Sequence, residues 1–263
     1  MGILTVFSLS AVYFLLRSIK SIIKIFIFFL RVILFLFSYF LYCLNIIFIF
    51  LNFKKFSKKV FVYAAYFCSI SLGIKYNVDS QSKVKLLYDG IHIANHENPF
   101  DIFVAQYIFR IPTITTVQNH LSKILPFFEL TLKNYGHFTF NHLILNERKF
   151  AYLFLKEFCF FNKRILIFPS GSIYTSIDKR FSKSVSKLSI SNNLKVIAWK
   201  FSYLEKSKKN VQYKKNVVNF ILERFFSDEI DFNIEKVKVF NPTSFSSQQE
   251  YHEALFSFYR NLS

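Results

Sequence analysis

Glycine and proline are rare in this chain, five residues of each in 263, and tryptophan and methionine occur once each. Phenylalanine, by contrast, occurs 37 times, and Ile, Lys, Asn and Ser are also abundant. Part of this pattern reads as codon bias from an A+T-rich genome, so side-chain propensities weigh less here than spacing does. There are three cysteines, Cys43, Cys68 and Cys159, scattered and without a C-x-x-C pair. That excludes a zinc ribbon and a disulfide framework, and small buried hydrophobes are the simpler reading. The most informative scarcity is of acid. No Asp or Glu precedes Asp79, whereas Arg17, Lys20, Lys24, Arg31, Lys54, Lys55, Lys58, Lys59 and Lys75 do.

The whole chain carries a net charge of +18, from 34 Lys and Arg against 16 Asp and Glu. Such an imbalance calls for a polyanionic partner. Its basic residues border long apolar runs, which favours anionic membrane lipids over nucleic acid. Residues 3–16 form one such run and residues 25–53 a second, interrupted only by Arg31. The second is long enough for the roughly 20 helical residues that cross a hydrocarbon core. No small-residue cleavage site follows the first run, which argues against a removed signal peptide. One transmembrane helix over about residues 25–50, or a helical hairpin that enters the membrane and returns, both fit. The cluster Lys54-Lys55-x-x-Lys58-Lys59 places the rest of the chain on the cytoplasmic side by the positive-inside rule. Residues 60–74 read as a further interfacial helix or as the first buried element of a domain. Residues 1–75 are thus expected to be an anchor and residues 76–263 a domain.

Beyond Asp79 short apolar runs alternate with helix-like segments. Candidate strands are 90–94, 113–117, 138–140, 164–168, 195–199 and 237–240. Helices are expected over 102–109, 143–161 and 248–261, the last with Tyr251, Ala254, Leu255 and Phe258 on one face. This alternation predicts an α/β domain, a sheet layered with helices. The strand at Gly90–Ala94 runs into Asn95-His96-Glu97-Asn98-Pro99-Phe100-Asp101, which puts a histidine and an aspartate at a strand-to-helix junction. The spacing alone is near chance. Its chemistry is coherent, however: imidazole titrates near neutral pH and suits a general base, and a neighbouring carboxylate fixes its tautomer.

Asn95-His96-x-x-x-x-Asp101 resembles the first signature of the lysophosphatidic acid (1-acylglycerol-3-phosphate) acyltransferase family. Leu125-Pro126-Phe127-Phe128 with Gly136 resembles the approach to that family's second block. Ile167-Phe168-Pro169-Ser170-Gly171-Ser172 resembles its Phe-Pro-Glu-Gly-Thr-Arg block, and Val196-Ile197-Ala198-Trp199 its hydrophobic fourth block. The resemblance spans roughly residues 85–205 and implies a layered glycerolipid-acyltransferase domain with a mixed sheet flanked by helices, behind an N-terminal helical membrane anchor.

It also implies a reaction: fatty acyl transfer from acyl-CoA or acyl carrier protein to a lysophospholipid hydroxyl, by default 1-acylglycerol-3-phosphate, in phospholipid biosynthesis. His96 and Asp101 are then the catalytic pair. His142, Phe168, Pro169, Ser170, Gly171 and Ser172 form the acceptor site. No metal or redox cofactor and no nucleic acid are called for, and the location is a membrane, with a bacterial inner membrane the default. The departures concentrate on acceptor binding. His142 stands where the family has Arg, Ser170 for Glu, Ser172 for Thr, Ile173 for Arg, and His120 for a common Lys. Either Lys123, Arg148, Arg164, Lys179 or Arg180 holds the phosphate, or the acceptor is another lysolipid, such as a lyso-ornithine lipid. A non-catalytic membrane-anchored binding protein is the reading outside enzymology.

Overall fold

The computed structural model describes residues 2–78, 85, 88–96, 98, 101–110, 113–115, 127–135, 138–139, 145–161, 164–169, 183–205 and 217–260. No glycine or proline interrupts the chain between Gly2 and Gly73, and the structure follows that directly. Helix α1 runs Gly2–Phe50, about 70 Å at 1.5 Å per residue. The charges at Arg17, Lys20 and Lys24 do not break it. Asn52 ends it in the left-handed conformation, φ 59°. The Asn52 amide donates to Ile49 O and the Phe53 amide to Phe48 O, the paired bonds of a Schellman stop with Asn at the position that tolerates it. Helix α2, Lys54–Ser71, then folds back along α1. It covers the segment expected at 60–74 but starts earlier, so the lysine cluster forms its exposed first turns. Phe61, Ala64, Ala65 and Cys68 are buried on its inner side, while Phe56 and Tyr63 stay exposed.

Strand β1, Ile74–Asn77, was not expected from the sequence and lies across the boundary drawn at residue 75. The remaining elements are β2 Gly90–Ala94, α3 Asp101–Phe109, β3 Thr113–Thr115, α4 Phe128–Tyr135, β4 Phe138–Thr139, α5 Leu145–Phe161, β5 Arg164–Ile167, α6 Ser184–Asn192, β6 Val196–Glu205, α7 Val217–Phe226, β7 Ile230–Phe240 and α8 Gln248–Arg260. The described strands form one mixed sheet in the order β1-β7-β6-β2-β5-β3-β4. β6 and β7 pair antiparallel and every other neighbouring pair is parallel.

Side chains alternate along each strand, so two cores form. One face carries Leu166, Ile197, Trp199 and Phe201 against α2, α3 and α7, with Phe28, Val32 and Phe35 of α1 packed on. The other carries Ile91, Ile93, Ile165, Val196 and Ala198 against α5, α6 and α8. The expected mixed, helix-flanked α/β sheet is present. A register shift opposite Lys200 and Phe201 switches which residues of β7 face the first core: Val237 on one side of it, Ile234, Phe232 and Ile230 on the other.

Candidate active site

The site is built where β2 stops. β2 pairs with β6 as far as Ala94 opposite Trp199. Asn95 extends the ladder with its side chain instead of its backbone. Its Nδ2 donates to Phe201 O at 2.9 Å, and its Oδ1 accepts from the Phe201 amide at 2.6 Å. The carboxamide therefore satisfies two buried backbone groups that the end of the strand would leave open. That clamp fixes where His96 emerges, at the carboxyl end of a central parallel strand, the place where open α/β sheets put their ligands.

Asp101 opens α3, and its amide donates to Asn98 O at 3.1 Å. The carboxylate is 1% exposed and stands at a helix N-terminus, whose dipole favours an anion. Among the described residues, donors from three converge on it. His96 Nδ1 lies 2.9 Å from Oδ2, the Asn98 amide lies 3.0 Å from the same oxygen, and the Tyr203 hydroxyl donates to Oδ1 at 2.5 Å. With Nδ1–H given to the carboxylate, Nε2 is the basic nitrogen of His96. The imidazole is 21% exposed and stacks on the buried ring of Phe168, centroids 4.6 Å apart. Phe168 and Pro169 follow β5, the neighbour of β2, so parallel pairing brings the second motif beside the first. The result is a partly exposed base with a buried, hydrogen-bonded carboxylate behind it, able to take a proton from a hydroxyl.

A second histidine sits one turn of sequence earlier and does something else. His92 is fully buried. Trp199 Nε1 donates to its Nδ1 at 3.0 Å, which leaves Nε2–H to donate to Tyr88 O, also at 3.0 Å. Burial, with Arg164 nearby, pushes its pKa down to about 4, so it is a neutral structural group near neutral pH. The thiols of Cys68 and Cys159 are pushed up to about 12 by burial, so neither supplies a thiolate nucleophile.

Among the residues expected to bind the acceptor, Phe168 and Pro169 are placed as above. His142, Ser170, Gly171 and Ser172 lie outside the described residues, as do Ile173, His120, Lys123, Lys179, Arg180 and the side chain of Arg148. Arg164 is described, and the register removes it from the candidates for holding a phosphate. It pairs with Gly90 at the amino end of β2, six residues before His96, or about 20 Å of strand. Sequence reasoning missed Tyr203 and gave Asn95 no task. A polar tip on a run of alternating buried aromatics, Trp199, Phe201 and Tyr203, was the available signal for the first.

A model of the family described as Acyltransferase matches residues 75–226, more than half of the chain. The chain belongs to this acyltransferase family. No curated protein matches the acyltransferase. Its fold is similar to the crystal structure of the 1-acyl-sn-glycerophosphate (LPA) acyltransferase PlsC from Thermotoga maritima, with a TM-score of 0.54 and 16% sequence identity. That similarity covers 88% of this chain and 94% of the other. It therefore reaches beyond the family match into α1 and α2. Membership assigns an acyl donor and a lipid acceptor to the site, and leaves to chemistry which donor and which acceptor they are.

Proposed function

We propose that this acyltransferase moves a fatty acyl group from acyl-CoA or acyl carrier protein to the free hydroxyl of a lysophospholipid, with 1-acylglycerol-3-phosphate as the first candidate and phosphatidic acid as its product. The observation that carries the reading is the His96–Asp101 pair, held at 2.9 Å with His96 half-open at the end of β2. His96 Nε2 takes the proton of the acceptor hydroxyl as its oxygen attacks the thioester carbonyl. Asp101 holds the ring and stabilises the imidazolium. The carbon–sulfur bond then breaks, and the thiolate leaves with the proton returned from His96. An ester and a free thiol result, so the balance closes without a metal or a redox cofactor.

The location proposed is the cytoplasmic side of a membrane, a bacterial inner membrane by default, with α1 and its flanking lysines against anionic lipid. Support comes from the apolar stretch Ile19–Phe50, long enough to span, and from the positive-inside rule.

A second acceptor class has its own support. Arg is the residue suited to a terminal phosphate because its fork donates two parallel bonds. This chain has His142 and Ile173 at the two family arginines, and Arg164 is far from His96. A lyso-ornithine lipid or a head-grouped lysophospholipid meets that site without a bare phosphate. The deciding experiment gives purified full-length protein a panel of lysolipids with labelled acyl-CoA, beside His96→Ala. Transfer is expected, strongest to 1-acylglycerol-3-phosphate, and lowered by roughly 100- to 10,000-fold in the variant. Preference for an acceptor without a terminal phosphate rejects the first candidate, and an undiminished His96→Ala rejects the mechanism.

A further inference from the structure

The family resemblance gives Phe168 to the acceptor site, but its surroundings point to another task. Phe168 follows β5, is 6% exposed and belongs to the core cluster that holds Leu166 and Val104. One face of its ring lies against the imidazole of His96, centroids 4.6 Å apart and planes 28° from parallel. Parallel pairing sets this stack. Ile93 of β2 lies opposite Ile167 of β5, so His96 and Phe168 leave neighbouring strands just beyond the ladder. A ring so covered has almost no surface left for an acceptor. What it presents, it presents to His96.

The imidazole is closed on two sides. Asp101 holds its Nδ1 edge at 2.9 Å, and Phe168 covers one face. Its side chain is 21% exposed. In the proposed reaction Nε2 gains the acceptor's proton, and the ring gains a positive charge spread over its atoms. Water cannot hydrate that charge at the covered face. An aliphatic neighbour would leave it without any partner there. The face of a phenyl ring carries partial negative charge, and a cation within about 6 Å of its centroid is attracted to it. Asp101 meets the charge along the Nδ1–H bond, and Phe168 meets it from the side.

We infer that Phe168 is a positioning residue of the reaction, acting through His96: its ring face keeps the imidazole in place and stabilises the positive charge that His96 acquires in the transition state. It does not hold the acceptor. The inference rests on the base role proposed for His96 and adds a second group to it. A neutral imidazole gains less from the same face than an imidazolium does. The contact therefore favours the transition state over the resting site, which is the condition for raising kcat. The gain expected is roughly 2- to 30-fold.

The test uses the full chain at pH 8, where an ordinary histidine is neutral. The acceptor is 1-acylglycerol-3-phosphate, or the lysolipid that the wild type prefers, and the donor is labelled acyl-CoA or acyl carrier protein, whichever the wild type turns over. Phe168 is replaced in turn by mono-, di- and trifluorophenylalanine, which keep the shape of the ring while withdrawing charge from its face. Phe168→Leu removes the face altogether. Along the fluorinated series kcat is expected to fall stepwise, by roughly 2- to 30-fold at its end, with KM for the acceptor and the unfolding midpoint unchanged. Phe168→Leu should lose at least as much. A constant kcat along the series overturns the inference and leaves Phe168 as core packing. A constant kcat with a rising KM overturns it in favour of an acceptor contact. A flat series beside an inactive His96→Ala leaves the base role standing, whereas an undiminished His96→Ala rejects that role and the inference together.

Discussion

Tyr203→Phe removes one hydroxyl from behind the proposed catalytic pair, His96 and Asp101, and little else. The ring of Tyr203 packs on Phe232, centroids 5.3 Å apart, and phenylalanine keeps that contact. The hydroxyl donates to Oδ1 of Asp101, and with the carboxylate 1% exposed, bulk water cannot take its place. A hydrogen bond to a charged group contributes about 1.5–3 kcal/mol. If Oδ1 works mainly by holding the carboxylate against the developing imidazolium, that loss falls on the transition state. At about 1.4 kcal/mol per factor of ten it corresponds to a fall in kcat of roughly 10- to 150-fold. The acceptor does not touch Tyr203 in this reading, so KM for the lysolipid should change little. Steady-state transfer at saturating acyl donor, with acceptor concentration varied, separates the two parameters, and thermal unfolding of the same preparation reports the share lost to stability. A Phe variant with wild-type kcat and wild-type unfolding midpoint refutes the assignment. A rise in KM alone shows that Tyr203 acts through acceptor binding.

Two further predictions concern the scaffold. Gly90→Ala is expected to be destabilising by on the order of 3 kcal/mol, because φ is +152° and an added Cβ falls 2.5 Å from both Lys195 O and Ile197 Cδ1. Denaturant unfolding measures it, and a variant of wild-type stability refutes the strain argument. His92 has a folded pKa pushed down to about 4 from an ordinary 6.5, so below pH 6.5 the unfolded chain takes up a proton that the folded chain refuses. Stability contributed by the neutral ring is therefore present above pH 6.5 and lost as pH falls towards 4, by on the order of 3 kcal/mol in all. The pH dependence of unfolding should flatten over that window in His92→Asn, and an unchanged slope excludes His92 as its source.

The contact between His96 and Asp101 was legible because it is local. Only four residues lie between His96 and Asp101, a strand precedes them, and a helix follows, so short-range pattern sufficed. The strands β2 and β5 and the helices α3, α5 and α8 were found close to their ends for the same reason. The long ribbon of β6 and β7 was not. The sequence shows apolar runs only at 195–199 and 237–240, whereas β6 continues to Glu205 and β7 begins at Ile230. The register shift opposite Lys200 and Phe201 moves the inward-facing positions of β7 from odd to even numbers, which hides the alternation from any single-period reading. Tyr203 lies in that unread half of β6. α1 was legible as apolar but not as one helix, since its basic residues look like boundaries and instead ride on a continuous helix. Arg31 looked like an interruption in a span and is a buried cap on α7. No local pattern announces a partner 193 positions away.

The clamp of Asn95 on Phe201 also gives the acyltransferase a timetable. His96 and Asp101 leave the ribosome early, but Asn95 must wait for a partner 106 residues further on, and Asp101 for one 102 residues on. The apolar helices α1 and α2 are made first. Through that interval the pair has its residues but not its support, and the site closes only when β6 has been made and has docked beside β2. A chain stalled short of Tyr203 carries both His96 and Asp101 without the structure that holds them together.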